Sequence, residues 1–424
     1  MEKSTISSNH RVPLWKPLTV RNFLLLYIGE NVSLLGDQFY IIALPWLTIQ
    51  LTNSGISLGT VLMSAAIPRA VLMLFGGVFS DRFSPRLVML VSNALRGLLI
   101  VSFTLIVAFK LTQLWHLYFF AASFGILDGF FIPASKSIIP TLVQREYLVA
   151  SNTLSQGTSQ VILLIGPALG GLLIATAGIE TAFAIDGLTF IITTVTLLLI
   201  KSTKPKATKL NGESNKNSTP TNKSISLIIG MREGLNYGWR NHSLRVLLLI
   251  LVMLNFLFVG PLQVGITSLA HSRFQGGAVA LGIMQSAWGG GGFLGTLAPQ
   301  FIRNLPKLGV LMVSLASIQG FGLFLLSSIP NIALAAITIT ILGFCSGFFT
   351  VVGITWIQKQ TPPEMLGRVM SLGMFSSFGI APFSFALAGV LVNFNLTILF
   401  TVAGSIMVIV SALLALNSSV REIN

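Results

Sequence analysis

The stretch RNFLLLYIGENVSLLGDQFYIIALPWLTIQLT, residues 21–52, is long and apolar enough to cross a lipid bilayer, yet it contains Glu30 and Asp37. A membrane-spanning helix needs about 20 mostly apolar residues. In lipid every backbone polar group must be bonded internally, so a run of this length indicates a helix. Acidic side chains in such a helix are costly and are functional candidates by default. We therefore predict a transmembrane helix whose two acids have a task.

The rest of the chain has the same character. Its 424 residues are 53% hydrophobic and only 9% charged, with a mean hydropathy of +0.84, whereas soluble domains are about a quarter charged. The expected fold class is an all-α polytopic membrane protein with twelve transmembrane helices. The predicted spans are 22–49, 57–79, 87–109, 114–136, 150–176, 180–200, 244–269, 278–301, 308–328, 331–357, 368–392 and 396–417.

The Lys and Arg residues predict how these spans are oriented. They collect in alternate loops, above all in the long loop 201–243, and basic residues favour the cytoplasmic side of a membrane. Both termini are therefore expected in the cytoplasm of a multi-pass protein of the bacterial inner membrane. The net charge of +14 is then a consequence of topology and does not indicate nucleic-acid binding. The polar first residues contain no removable signal peptide pattern.

An internal repeat divides the chain into two halves. A shift of 218 residues places GPALGG at 166–171 on SFALAG at 384–389. Two related six-helix halves are typical of one transporter architecture. The predicted domains are a cytoplasmic tail at 1–21, an N-terminal bundle at 22–200, a linker with an amphipathic helix at 201–243, a C-terminal bundle at 244–417 and a cytoplasmic tail at 418–424.

The loop after the second span carries a family resemblance. GGVFSDRFSPR, residues 76–86, resembles the signature loop of the major facilitator superfamily, although Ser84 and Pro85 depart from it. The positions that match are Gly77, Asp81, Arg82 and Arg86. The resemblance implies two six-helix bundles and a loop that latches the cytoplasmic side by contacting the end of helix 11. Asp81 suits this contact because a carboxylate complements the dipole at a helix N-terminus.

GPALGG is similar to a signature of proton-antiporting exporters in that superfamily. Its matching residues are Gly166, Pro167, Gly170 and Gly171. They either form a hinge or simply let helices pack closely. Together with IPRAVLMLFGGVFSDR, FFIPASKSIIPTLV and PPEMLGRVMSL, the motif resembles the drug-efflux branch that includes macrolide exporters and the enterobactin exporter.

The resemblance also implies which residues reach the central cavity, since that fold lines it with helices 1, 4, 7 and 10. Three acids are the candidates for proton coupling and the cavity: Glu30, Asp37 and Asp128. Arg69 and Arg96 are expected to be supporting intramembrane cations. The alternative is that these arginines, Glu30 and Asp128 form a structural ion network. Candidates in the second half are Asn255, Gln263, Gln285, Trp288 and Trp356. Asp186 is expected to be interfacial.

These observations predict a proton-coupled secondary exporter of amphipathic small molecules such as drugs or macrolides, working by alternating access. A siderophore, lysolipid or other metabolite is the alternative cargo. A membrane enzyme or a sensor is a further alternative, but the four His residues are scattered and show no catalytic or metal-site spacing, so a surface role is expected for His116 and His271. No cofactor or metal is expected beyond the proton gradient. The expected partners are a small-molecule substrate, protons and the bilayer, for a monomer.

Overall fold

The computed structural model describes residues 13–201, 242–302, 307–362, 365, 369–370, 373 and 378–416, with backbone alone at 74–82, 242–243 and 246–247. That part of the chain contains twelve α-helices, three short 3-10 helices and no strand. The first six are α1 (Arg21–Thr52), α2 (Gly55–Arg82), α3 (Pro85–Ala108), α4 (Leu114–Leu142), α5 (Leu148–Ala177) and α6 (Ile179–Leu199). The second six are α7 (His242–Ser272), α8 (Gly277–Leu297), α9 (Leu308–Leu326), α10 (Ile332–Gln360), α11 (Ala381–Phe394) and α12 (Leu396–Leu416).

Ten of the described helices are long and apolar enough to cross a bilayer. The other two are α8, whose glycines lower its hydropathy, and α11, which has 14 residues in this part of the chain. Each of the twelve predicted spans corresponds to one described helix. The predicted all-α membrane fold with twelve helices is confirmed. The linker predicted at 201–243 lies almost wholly outside the described residues.

The two halves meet through α5 against α8 and α2 against α11. Both contacts are centred on a glycine. A Cβ atom built on Gly171 would lie 3.1 Å from the Cα of Gly282, and one built on Gly389 would lie 3.1 Å from the Cα of Gly59. Gly171 and Gly389 are separated by the 218 residues of the sequence repeat. Equivalent glycines therefore make equivalent contacts in the two halves, as the repeat predicts.

The two halves are also joined at the end of the molecule that carries the α1–α2 and α7–α8 connections, here called the distal end. His271 Nε2 lies 3.0 Å from Asn53 Oδ1, which is an acceptor. The same imidazole meets the Trp46 ring edge-on, with the centroids 5.6 Å apart. His271, predicted to have a surface role alone, is exposed but lies in the last turn of α7 and bridges the two halves.

Toward the opposite end, where α1 begins, here called the terminal end, α5 separates from α8. Positions 171, 164 and 157 of α5 are seven residues apart and so share one helix face. Leu164 still touches α8, since its Cδ1 would lie 2.7 Å from a Cβ built on Gly290. At Gly157 this face has lost its neighbour, because a Cβ built there would meet nothing within 4 Å. Along this face the two halves touch at the distal end and separate toward the terminal end.

Candidate functional site

Three charged side chains meet between α2, α3 and α4. Asp128 accepts a hydrogen bond from Arg96, and its Oδ2 lies 3.6 Å from Arg69 NH1. The Arg96 side chain is 2% exposed, whereas Asp128 and Arg69 are 26% and 32% exposed. The Arg96 guanidinium also lies over the Phe131 ring, 4.5 Å from its centroid. Asp128 is therefore a paired acid, and the two arginines of the first bundle are its partners.

The two acids of α1 are in a different situation. Glu30 and Asp37 are half-buried, and neither forms an ion pair or a hydrogen bond with any residue that the structure describes. They lie on one unbroken helix seven residues apart, which places them about 10 Å apart along its axis. Glu30 thus stands outside the network of Asp128 and its arginines. Neither of these two carboxyl groups therefore has a fixed counter-charge among the described residues.

Asp186 corrects the sequence prediction. It was expected at the membrane interface, but it is 0% exposed and packs between α6 and α1. A Cβ atom added at Gly36 would lie 2.6 Å from Asp186 Oδ1, so the carboxyl group rests directly on the α1 backbone. Both of its oxygens lack a hydrogen-bond partner among the described residues.

The burial of Asp186 could have been predicted from the sequence. Asp186, Thr189 and Thr193 are spaced three and four residues apart and so share one face of α6. That face packs on α1, where the Thr193 hydroxyl donates to the Gly29 carbonyl oxygen at 2.9 Å. A stripe of an acid and small hydroxyl residues predicts burial against another helix. The interfacial prediction used depth along the helix and ignored this face.

The second half supplies a neutral cavity of about 240 Å³ among α7, α9, α10 and residues 370 and 373. Its polar lining consists of Asn255, Gln319, Ser346 and Thr350, and no charged side chain lines it among the described residues. Gln319 Nε2 donates to Ser346 Oγ at 2.7 Å, which holds both groups in place. The remaining lining is mostly apolar, from leucine, isoleucine, phenylalanine and methionine. Such a cavity suits an apolar group with a few hydrogen-bonding atoms.

The other candidates of the second half lie elsewhere. Gln285 Nε2 donates to Gln263 Oε1 at 3.0 Å, so these two amides satisfy each other. Trp288 packs against Phe258, a residue of the cavity wall, with ring centroids 5.5 Å apart. Trp356 is buried in an apolar cluster near the terminal end of α10. Asn255 is thus the one sequence candidate that directly lines the described cavity.

The signature loop is described in part. The α2 backbone is helical to its end, at Gly77, Asp81 and Arg82 as well, but the side chains of Asp81 and Arg82 are not among those described. Arg86 Nε donates to the Leu197 carbonyl oxygen, and Arg86 NH2 donates to the Leu198 carbonyl oxygen, both at 2.9 Å and at the end of α6. A cation stabilises a helix C-terminus in this way. Arg86 therefore joins α3 to α6, and the latch to helix 11 stays a prediction.

GPALGG makes close contacts on two sides of α5. Pro167 has no N–H, and the next backbone N–H, of Ala168, donates to Ser286 Oγ of α8 at 2.9 Å. Gly166 lies against the Gln38 side chain of α1, and a Cβ on Gly170 would be 3.3 Å from the Cα of Phe39. The motif is a close-contact face between α1 and α8.

SFALAG, the repeat of this motif, makes a related contact. Gly260 N donates to Ser384 Oγ at 2.7 Å, and the same hydroxyl donates to Phe256 O at 2.6 Å. Ser384 thereby bridges two backbone groups of α7 beside Pro261, where a proline disturbs helix bonding. Within WGGGGFLGT, 288–296, Gly291, Gly292 and Gly295 pack against α10, whereas Gly289 and Gly290 lie against α5. A Cβ on Gly347 would lie 3.1 Å from the Cα of Gly292, so that run is a helix-crossing face.

Several known proteins are similar to this chain. The sequence profile described as Major Facilitator Superfamily matches residues 26–386. Macrolide efflux protein A of Streptococcus pyogenes is 23% identical over 82% of this chain and 84% of its own. The multidrug efflux pump Tap of Mycobacterium bovis is 25% identical over 88% and 87%. The enterobactin exporter EntS of Shigella boydii is 24% identical over 82% and 80%.

A solved structure shows the same fold. The crystal structure of a mutant of the nucleoside transporter NupG superposes with a TM-score of 0.73, at 15% identity, over 93% of this chain and 98% of that one. At this identity the likeness shows the fold alone. The predicted resemblance to macrolide exporters and to the enterobactin exporter is confirmed by the sequence matches.

Proposed function

Because the chain belongs to the Major Facilitator Superfamily, and is a transporter rather than an enzyme, we propose that it exports amphipathic small molecules in exchange for protons. The relatives whose names state a function are efflux proteins, and their cargoes differ. They support efflux of a small molecule. The exchange with protons is argued from this chain's own side chains.

The observation that carries the proposal is the contrast among the acids of the first bundle. Asp128 has two arginine partners, while Glu30 and Asp37 have none among the described residues. A proton carrier must be able to take up and release its proton as its surroundings change. A fixed ion pair opposes this change, because neutralising one partner leaves the other charge buried. Glu30 and Asp37 are therefore the coupling acids that we propose, with Asp128 as a structural anion.

The conformation is consistent with loading from the terminal end. The halves meet at the distal end through Asn53 and His271 and separate along α5 toward Gly157. If both termini lie in the cytoplasm, as the positive residues indicate, this state is open to the cytoplasm and closed to the outside. An exporter collects its cargo in such a state. Rocking of the two bundles then exposes the same site to the other side.

The two halves offer different chemistry to a cargo. The neutral cavity beside Asn255 accepts an apolar group with hydrogen-bonding atoms, and its volume of about 240 Å³ suits part of a larger molecule. The unpaired acids of α1 would attract a basic amine. A cargo with an apolar body and an amine, as in a macrolide antibiotic, fits both. The protein is proposed to work as a monomer.

One observation favours an anionic cargo as a second candidate. Arg69 is 32% exposed and lies 3.6 Å from the Asp128 carboxylate, so its guanidinium has donors to spare. A siderophore, a lysolipid or another acidic metabolite would bind there. In that case Arg69→Gln would weaken cargo binding, whereas a cationic cargo would be unaffected or bind more tightly.

The test is transport in proteoliposomes with a radiolabelled macrolide and with enterobactin. In vesicles with an acidic interior, the fraction of protein whose terminal end faces outward should accumulate its cargo above the level without a pH gradient. Asp37→Asn should abolish this accumulation, and Glu146→Gln, which removes an exposed acid outside the spans, should retain it. Equal uptake with and without the gradient by the unmodified protein would refute proton exchange.

A further inference from the structure

We propose that Asp186 and Asp37 form a two-carboxyl proton site between α6 and α1, in which Asp186 holds the proton in the conformation described above. Asp37 would exchange this proton with water of the central cavity. The inference rests on the proposed function for the role of Asp37. Its first part, a neutral Asp186, stands on the structure of the α1–α6 contact.

Burial without a partner is the first argument. Asp186 is 0% exposed, and neither Oδ1 nor Oδ2 has a hydrogen-bond partner among the described residues. An ionised carboxylate in such a place carries a large desolvation cost with no hydrogen bond to offset it, so the group takes up a proton instead. The nearby Thr189 hydroxyl donates to the Asp186 backbone carbonyl at 2.7 Å.

The surroundings of Asp186 are the second argument. The helices packed on α6 are α1, α3 and α5. From α1, Asp37 directly follows Gly36, which contacts Asp186. Tyr40, also of α1, packs against Phe183, about one turn before Asp186 on α6. From α3, the Arg96 guanidinium lies over the ring of Phe190, about one turn after Asp186. The described α5 has no ionisable side chain between its first and last residues. One acid, one phenol and one guanidinium thus lie around the part of α6 that carries Asp186.

Arg96 can receive the charge once the proton leaves. Its NH2 is bound to Asp128, but its Nε is buried and has no acceptor among the described residues. In the transfer, the O–H bond of Asp186 breaks and a new O–H bond forms on an Asp37 carboxylate oxygen. The negative charge moves from Asp37 to Asp186, where the Arg96 guanidinium offsets it. A charge can therefore form at Asp186 without being isolated.

The summed charge of the acids and arginines in the central parts of α1 to α6 also favours protons bound to the acids. The central parts of α1 to α6 contain four acids and two arginines, so their sum is −2 when all are ionised. One acid is clamped to both arginines, and the other three have no cation partner among the described residues. A low-dielectric environment opposes an uncompensated net charge. Two protons on the unpaired acids would make the group neutral, and Asp186 is the most buried of the three.

The first test is infrared spectroscopy of the purified protein in lipid vesicles at pH 7, without any cargo. A protonated carboxyl group has a C=O stretching band that an ionised one lacks. Asp186→Asn should remove one such band. Thr193→Val, on the same face of α6, serves as the matched control and should keep it. An unchanged carboxyl band in Asp186→Asn would overturn the proposal.

Two further variants keep the proposal testable if Asp186→Asn does not fold. In Gly36→Ala the new methyl group meets Asp186 Oδ1, so the carboxyl band should change in position while remaining present. In Asp37→Asn the pH at which the Asp186 band disappears should change, because the two acids interact. Identical pH profiles for Asp37→Asn and the unmodified protein would refute the pairing of the two acids.

Transport separates this inference from the proposed function. Asp186→Asn should lose accumulation of the radiolabelled macrolide driven by a pH gradient but keep exchange of labelled for unlabelled macrolide, which needs no net proton movement. If the unmodified protein shows no gradient-driven transport, the proposed function fails, while the infrared result still decides whether Asp186 is protonated. If Asp186→Asn retains full gradient-driven accumulation, its role as a proton carrier is refuted.

Discussion

Breaking the ion pair of Asp128 should unfold this protein far more readily than removing an unpaired acid. In Asp128→Asn, the Arg96 guanidinium stays 2% exposed but loses its counter-charge. Removing one partner of a buried ion pair costs about 3–5 kcal/mol. Arg69 adds little to this cost, because its side chain is 32% exposed and can be solvated.

A cysteine of the chain can report on this loss of stability. Cys345 is the single cysteine of the sequence and its side chain lies buried at 2% exposure. A thiol-reactive dye then labels it at a rate that follows the population of opened protein, provided that reclosing is faster than labelling. Since about 1.4 kcal/mol corresponds to a factor of ten, Asp128→Asn should label roughly two to almost four orders of magnitude faster.

Two controls give the result its meaning. Glu30→Gln removes an acid without an ion pair among the described residues and should not accelerate labelling. The double variant Asp128→Asn/Arg96→Gln removes both charges and should recover most of the lost stability, since a buried pair replaced on both sides costs little. Labelling of Asp128→Asn at the rate of Glu30→Gln would refute the reasoning.

Three further predictions concern the contacts between helices and the cavity. Gly171→Val should open the distal end, because its side chain collides with α8 near Gly282. A cysteine introduced at Ala278, which is buried beside Gly171, should then label faster, and an unchanged rate would count against a closed distal end. Asn255→Leu should weaken equilibrium binding of a macrolide to the purified protein about tenfold, because one hydrogen bond is lost. Unaltered affinity would place the cargo elsewhere. Ser384→Ala should destabilise the fold by about 1–3 kcal/mol, because two α7 backbone groups lose the hydroxyl that bridges them. The loss should appear as faster Cys345 labelling, and a rate equal to the parent's would show that these two backbone groups bond to each other instead.

The membrane fold could be predicted because hydropathy is a property of consecutive residues. Each predicted span matches a described helix, and the repeat that relates Gly171 to Gly389 reappears as two equivalent glycine contacts. The close-contact role of GPALGG was also predictable, since small residues in a membrane helix leave room for a neighbour. The latch of Asp81 and the coupling role of Glu30 and Asp37 stay predictions.

The site was harder to predict because pairing depends on which helices are neighbours. The family resemblance groups Asp128 with Glu30 and Asp37 because it implies that helices 1 and 4 line the cavity, whereas α2 and α3 bring two arginines to Asp128 and to neither of the others. Asp186 was placed at the interface because it lies near a helix end. The face that buries it became clear only from the contact of α6 with α1 at Gly36. His271 likewise reaches Asn53 only because the two halves close at that end.

The amino-acid sequence by itself determined the helices of the membrane fold and the position of each acid along its helix, because both follow from counting residues along a chain with a fixed rise. The tertiary structure alone decided which acids have partners, because a helix face acquires its neighbours from elements far away in the sequence. Burial in the membrane makes an acid costly, and its neighbours decide whether it is paired, as Asp128 is, or left without a counter-charge among the described residues, as Glu30 and Asp37 are.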